Sequence, residues 1–293
     1  MSETQSVRST RILTVIYLAV AALAGAQEHA DTITTDIDWG TGTLTVQVER
    51  PVRAEQASGP AAIARTQRAI RRDGPRILSD VITQIPYASR QTVAGLLSSN
   101  ESQITAVERA ARQGEAVDAS ATTNLRAARV TFEVDLYADL ASQFVTHDRA
   151  LSMEQRLGWV AAAEYTGILI YAADELPVFG TQERAQLEPT LFPGLYYQTP
   201  DGLLYRLAER EHMNPAQLTT QGPAIYTSDV SATGLADRLG SRPLRVLATG
   251  VFGTRPADVV LSEADALQIL SSARNRALVR EGRIVIVVAP EQL

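Results

Sequence analysis

The chain has 293 residues, of which 45% are apolar and 20% charged, a composition typical of a globular protein with one or two domains. Its net charge of -6 argues against a bulk nucleic-acid binder, which usually has a basic balance or a basic face. All 27 basic residues are arginine and there is no cysteine, which excludes lysine-based and thiol catalysis, thiolate zinc sites, disulfides and a lipidated N-terminal cysteine.

Residues 1–26 have the pattern of a secretory signal peptide. Arg8 and Arg11 supply a positive start, an apolar stretch follows, and Ala24-Gly25-Ala26 has the small-x-small form that signal peptidase accepts. The apolar stretch is shorter than the ~20 residues of a membrane-spanning helix. We therefore expect cleavage before Gln27, a periplasmic mature protein, free or docked on an envelope-spanning assembly, and no transmembrane segment after cleavage.

An N-terminal α+β domain is predicted for residues 31–148. Residues 33–38 and 44–49 alternate polar and apolar side chains around a glycine-containing turn, which indicates a β-hairpin. From residue 61 to residue 85 apolar residues recur at helical spacing, and Gly74-Pro75 predicts a kink or a break into two helices. Two further helices and a half-buried returning strand are predicted at residues 91–97, 101–113 and 130–137.

One face of the first predicted helix carries Arg65, Arg68, Arg72 and Arg76. A solvated helix face is one interpretation of this row of arginines. A site for phosphate or for an acidic partner is the other.

A C-terminal α+β domain is predicted for residues 159–290. Residues 166–173 form a continuous apolar run that is typical of a buried strand, and Pro200-Asp201-Gly202 marks a second hairpin. A helix begins at Ser262 with a capping-box-like pattern, and a buried terminal strand covers residues 284–288. The fold class predicted for the whole chain is α+β, as two small mixed domains after the signal peptide.

Few residues have the spacing of a catalytic or metal site. Asp36 and Asp38 share one face of a strand, but they flank a hairpin turn. The sequence around His147-Asp148 has no motif that would supply a nucleophile. His212 lies in a charged segment that we expect to be solvated. We therefore predict a protein that is not an enzyme, without catalytic, cofactor-binding or metal-binding residues and without a cofactor.

The segment from Leu191 to Tyr197 is unusual, because Pro193 and Gly194 interrupt a run of large apolar side chains. Buried core strand is one interpretation of this segment. The other is a protein interface, which aromatic side chains suit. The candidate interface residues are Leu191, Phe192, Tyr196 and Tyr197.

The second half carries a set of spacing patterns of glycine, proline and apolar residues, at residues 165–170, 189–193 with 201–205, 238–240 with 243–244, 258–262 with 265–266, and 283–287. In these segments it resembles FlgP/FlgT-type flagellar accessory proteins and related Lpp-type periplasmic lipoproteins. The chain departs from that pattern at Tyr171, where an aspartate is expected, and it has no cysteine after the signal peptide, so lipid anchoring is not implied.

This resemblance implies a non-enzymatic structural or scaffold protein, associated with the flagellar basal body or motor through contacts with other envelope proteins or motor proteins. It leaves open whether the chain forms a homo-oligomer. The alternative is a periplasmic binding module for a small molecule or a cell-wall fragment. A hydrolase that uses Asp36, Asp38 or His147 is the third hypothesis.

Overall fold

The computed structural model describes residues 31–52, 59–98, 102–158, 163–231 and 234–293. The predicted signal peptide, residues 1–26, lies outside the described residues. The chain forms two α+β units, which confirms the predicted fold class. None of the helices within these ranges is long and apolar enough to cross a membrane.

The first unit begins with the predicted hairpin and returns with the predicted strand. Its elements are β1 (Thr32–Asp38), β2 (Thr43–Pro51), α1 (Pro60–Ile82), β3 (Pro86–Ala88), β4 (Gln91–Thr92), α2 (Val93–Leu97), α3 (Ser102–Gln113), β5 (Glu115–Ala121) and β6 (Ala127–Asp135), followed by a π-helical turn (Leu136–Leu140) and a 3-10 turn (Ala141–Gln143).

Four strands of this unit form an antiparallel sheet in the order β1-β2-β6-β5. Leu44, Val46 and Val48 on β2 are fully buried, while the residues between them are at least partly exposed. This alternation follows from the two-residue period of a strand that packs on one face only. Helices α1 and α3 cover the apolar face of the sheet.

Helix α1 continues through Gly74-Pro75, so the prediction of a break into two helices is wrong. Pro75 is exposed, and Gly74 is buried against the ring of Phe132, to which an added Cβ would approach within 2.9 Å. The glycine thus lets the helix approach the sheet closely. The packing of this apolar face keeps the helix continuous despite the hydrogen bond that a proline cannot donate.

The second unit has more and shorter elements. They are β7 (Ile168–Tyr171), β8 (Leu176–Pro177), β9 (Arg184–Ala185), β10 (Leu195–Gln198), β11 (Leu204–Ala208), a 3-10 turn (Arg210–His212), α4 (Pro215–Thr220), β12 (Ile225–Thr227), α5 (Leu235–Leu239), β13 (Leu244–Leu247), β14 (Gly250–Phe252), β15 (Asp258–Ser262), α6 (Glu263–Leu270), α7 (Ala273–Arg280), β16 (Ile284–Val287) and a terminal 3-10 turn (Pro290–Gln292).

These strands form two four-stranded sheets and the two-stranded sheet β8-β9. One four-stranded sheet is parallel throughout, in the order β12-β16-β7-β13, and its central strands β7 and β16 are buried on both faces, as expected for a parallel sheet. The other four-stranded sheet is mixed, in the order β11-β10-β15-β14, with β10 parallel to β15. Strand β11 therefore lies at an edge.

The predicted C-terminal helix is two helices. Ser262 accepts a hydrogen bond from the backbone N–H of Asp265 and caps α6, as predicted, but the helix ends at Leu270. Ser272 then caps α7 by accepting from the N–H of Asn275. Serine hydroxyls compete for backbone hydrogen bonds, so this second cap favours a new helix over a continued one.

Candidate functional site: the domain junction and the adjoining sheet edge

The two units are joined through the short segment that contains β3. The backbone N–H groups of Leu191 and Phe192 donate to the carbonyl oxygens of Pro86 and Tyr87 at 2.9 and 3.0 Å. A third bond, from the N–H of Arg255 to the carbonyl of Ser89, is 2.8 Å long. These backbone hydrogen bonds tie the first unit to the second, and they satisfy backbone groups that burial would otherwise leave unpaired.

An aromatic cluster surrounds this segment. The ring of Tyr87 packs edge-on against Phe144 and Phe192, with centroids 5.4 and 5.2 Å away. Arg210 donates a hydrogen bond to the Tyr87 hydroxyl oxygen, and its guanidinium lies 5.7 and 5.6 Å from the ring centroids of Tyr87 and Phe192. Arg210 also pairs with Glu211 at 2.7 Å, which balances its charge. Ring contacts and cation–π attraction therefore reinforce the backbone pairing.

The carboxylate of Asp258 is buried at the same junction. Its Oδ2 accepts from the hydroxyl of Ser89 in the first unit at 2.5 Å, and its Oδ1 accepts from the N–H of Gly194 in the second at 2.8 Å. Burial raises the pKa of Asp258 above that of an ordinary aspartate, and these two hydrogen bonds oppose the rise.

A second contact between the units is built on glycines. The ring of Tyr137 lies between Gly42 of the first unit and Gly222 of the second, and a Cβ on either glycine would come within 2.3 Å of it. Arg238 donates to the carbonyl of Gly222 at 2.8 Å and to Gln221 at 2.9 Å, so it holds that loop in place. Burial lowers the pKa of Arg238 to about 10 and raises the pKa of Tyr137 to about 12.

The four candidate interface residues are all buried within the chain. Leu191 and Phe192 belong to the junction described above. Tyr196 donates from its hydroxyl to Glu209 at 2.9 Å and packs against Phe252, and burial, aided by Glu209, raises its pKa to about 12. These side chains contact other parts of the same chain, as the buried-core interpretation of the segment describes; a protein interface at these residues stays a prediction.

Tyr197 is also buried, but it lies directly below the surface. Its ring stacks with that of Tyr205 on edge strand β11, with centroids 5.5 Å apart, and the Arg156 guanidinium lies 4.9 Å from the Tyr205 centroid. Tyr205 is 37% exposed and Leu203 is 52% exposed. We call Leu203, Tyr205 and Arg156 the sheet-edge patch.

An open crevice of about 500 Å³ adjoins the same sheet. The parallel strands β10 and β15 end here, at Gln198 and Ser262, and helix α6 begins here. Crevices outside the carboxyl ends of parallel strands are common ligand sites in α/β sheets. The remaining lining residues are Thr199, Pro200, Thr249, Glu263, Ala264 and Leu267.

The polar residues considered for catalysis take part in local contacts. Asp38 accepts from the N–H groups of Gly40 and Thr41 at 2.9 and 3.0 Å and so stabilises the hairpin turn. His147 Nε2 lies 3.0 Å from the carbonyl oxygen of Met213, and His212 Nδ1 accepts from the N–H of Glu209 at 3.1 Å.

Sequence reasoning missed Ser89, Asp258 and Tyr137 as junction residues. One signal for Asp258 was present: it is an acidic residue at the start of a buried apolar strand, where a carboxylate needs a partner. For Ser89 and Tyr137 the sequence carried no such signal, because their partners lie more than 80 residues away along the chain.

Family models match each unit separately. Residues 31–143 match the model described as the N-terminal domain of Treponema pallidum Tp0624, and residues 167–290 match the model described as the second domain of the same protein. The chain is therefore similar to these two domains, in the same order. Neither description mentions flagella or lipoproteins. No curated protein matches the chain significantly.

The close packing of Tyr137 predicts that Gly222→Ala destabilises the protein by about 3 kcal/mol or more, from left-handed backbone strain and overpacking together. The ring cannot move away, because Gly42 contacts its other side. Urea unfolding at equilibrium measures this loss.

The matched control is Gly202→Ala, at another left-handed glycine (φ 87°) with no atom within 4 Å of the added Cβ. It should cost only about 1–2 kcal/mol, the backbone strain alone. Equal losses in the two variants would contradict the close contact between Gly222 and Tyr137.

The raised pKa of Asp258 predicts a pH dependence of stability. Because the folded protein holds this proton more tightly than the unfolded chain, the group's contribution is fully present below the unfolded pKa and is lost as the pH rises through the folded pKa. Asp258→Asn should therefore flatten the curve of unfolding free energy against pH above the ordinary aspartate value of 3.8.

Asp201→Asn, at an exposed turn residue, is the control for the loss of one carboxylate and should leave the curve unchanged. The burial argument fails if Asp258→Asn and the wild type have the same pH dependence.

Proposed function

We propose that this chain, whose two units are similar to the first two domains of Tp0624, is a non-enzymatic structural protein of the cell envelope that acts by binding other proteins. The observation that carries the proposal is the combination of a buried domain junction with an exposed aromatic sheet edge. The junction holds the two units in one arrangement. The outer edge of β11 offers a partner strand backbone groups with which to pair.

The sheet-edge patch has the features of a protein contact. Strand β11 pairs only with β10 among the described strands, and Tyr205 and Arg206 on it are exposed, so an added strand could pair with the outer edge there. Tyr205, Leu203 and Arg156 supply aromatic, aliphatic and guanidinium groups, and tyrosine and arginine are enriched among residues that dominate binding energy. Leu157, next to Arg156, is 80% exposed and extends the apolar surface.

The narrower part of this proposal is that the protein associates with the flagellar basal body. It rests on the sequence resemblance to FlgP/FlgT-type proteins, which is clearest in the unit that also contains the sheet-edge patch. Periplasmic location likewise rests on the signal-peptide pattern of residues 1–26.

A photo-crosslinking amino acid at position 205 tests the patch in native cells. We expect crosslinks from position 205 to one defined envelope protein, and enrichment of the adduct with isolated basal bodies if the partner is flagellar. Position 104, an exposed isoleucine on α3 of the other unit, is the control site and should give no such adduct.

Leu203→Ser and Tyr205→Ser should together weaken the identified complex by about tenfold or more. Leu203→Ser alone should change the melting temperature little, because this side chain is 52% exposed. Tyr205→Ser should also lower the melting temperature, because it removes the ring that stacks on Tyr197. Phe192→Ser, in the buried junction, should likewise lower the melting temperature. Identical crosslinking from positions 205 and 104, or a complex of undiminished affinity in the double variant, would refute the patch as the contact.

The crevice favours a second candidate function, a binding module for a small molecule or a cell-wall fragment. Its volume of about 500 Å³ lies within the range of ligand sites, and its walls combine Leu267 and Pro200 with several hydroxyl and amide groups.

A ligand of the crevice should raise the melting temperature saturably in a screen of wall fragments and metabolites. Ala264→Phe, at an exposed lining position, should abolish that shift by filling the crevice, whereas Ala273→Phe, at the exposed start of α7, should preserve it. If no compound in the screen stabilises the wild type, the binding-module alternative loses its support.

A further inference from the structure

Four arginines form a continuous line along the exposed side of α1. Arg65, Arg68, Arg72 and Arg76, here called the arginine stripe, are all exposed, and the spacing of three to four residues places them on one side of the helix. At 1.5 Å of rise per residue the stripe is roughly 16 Å long. The opposite side of α1 packs on the sheet, so the orientation of the stripe is fixed.

The stripe keeps most of its positive charge. Arg76 pairs with Asp80 at 3.2 Å, but both side chains are largely exposed, and such pairs are weak. Arg72 lies 3.3 Å from Asp73, whose carboxylate is already held by Arg50 at 2.8 Å. Among the described residues, Arg65 and Arg68 have no acidic partner.

The positive charge of the stripe is opposite in sign to the net charge of the whole chain. The chain carries a net charge of -6. An anionic surface therefore attracts the face that carries the stripe and repels most other faces of the protein. The charge distribution therefore favours one orientation on such a surface.

The exposed side of α1 has little of the apolar surface that a protein partner would bury. The helix contains no aromatic residue, and the exposed residues beside the stripe include Ala61, Ala64 and Pro75. Protein interfaces have an apolar core rich in aromatic side chains, which this face lacks. A straight row of planar guanidinium groups suits an array of phosphates, because each guanidinium can donate two parallel hydrogen bonds to phosphate oxygens.

The described chain begins beside the same helix. Asp31 accepts from Arg50 through both of its carboxylate oxygens at 2.7 Å, and Arg50 also bonds Asp73 on α1. These bonds hold the start of the described chain and strand β2 against α1.

We propose that the arginine stripe binds the headgroup phosphates of a bilayer that contains anionic phospholipid, and thereby sets the orientation of the protein on that membrane. The inference does not depend on the proposed protein contact, since the stripe and the sheet-edge patch lie on different units.

Vesicle co-sedimentation of the full chain tests this proposal. Vesicles of phosphatidylcholine alone measure binding that does not depend on lipid charge, and vesicles with about one third phosphatidylglycerol add the electrostatic part. At roughly 0.1 M salt we expect a clear preference for the anionic vesicles, since each basic residue near such a surface contributes measurably. The preference should fall steeply at high salt, because salt screens the attraction.

Replacing all four stripe arginines by glutamine should reduce this preference by about tenfold or more. Glutamine has a similar helix propensity, so the melting temperature should stay near that of the wild type. The matched control replaces four other exposed arginines by glutamine, Arg126, Arg149, Arg242 and Arg245, and should keep the preference.

Three outcomes would overturn the proposal: a wild type with no anionic preference, a stripe variant that retains it, or an equal loss in both quadruple variants. Soluble polyglutamate that displaces the protein as well as anionic vesicles do would also overturn it, and would instead identify the partner as an acidic polypeptide.

Discussion

The arrangement of the two units depends on the buried carboxylate of Asp258. A carboxylate removed from water is costly unless hydrogen-bond donors replace the lost solvation. One donor is the hydroxyl of Ser89, which belongs to the first unit, and the other is the N–H of Gly194 in the second. In the folded protein these two donors replace the water that the group has lost, and separating the units would return it to solvent together with the apolar surface of Tyr87 and Phe192.

Close approach is the second condition for this junction, and glycine makes it possible. Gly42 and Gly222 hold the Tyr137 ring from opposite sides, and Gly253 lies where a Cβ would come within 2.4 Å of the Cβ of Ser89. A larger side chain at Gly222 or Gly253 would push against Tyr137 or Ser89 of the first unit and so force the two units apart. The polar and the steric features of the junction thus depend on each other.

The surfaces left outside the junction differ in physical character. The sheet-edge patch offers aromatic and aliphatic area beside unpaired backbone groups, which suits a partner that can add a strand. The arginine stripe offers charge with little apolar area, which suits a surface of phosphates. Because the junction joins the units, binding at one surface would fix where the other one points.

The sequence determined the parts of this fold that local patterns encode. The hairpin of β1 and β2, strand β6, the hairpin of β10 and β11 and the terminal strand β16 agree with prediction, since alternation and turn residues act over a few positions. Strand β5 was missed, because an edge strand with mostly exposed residues has no apolar alternation. Only the tertiary structure decided that α1 continues through Pro75, that Leu191 and Phe192 face the other unit, and that Ser89 meets Asp258. Periodicity shows that a side is apolar, but what covers that side depends on segments far away in the chain.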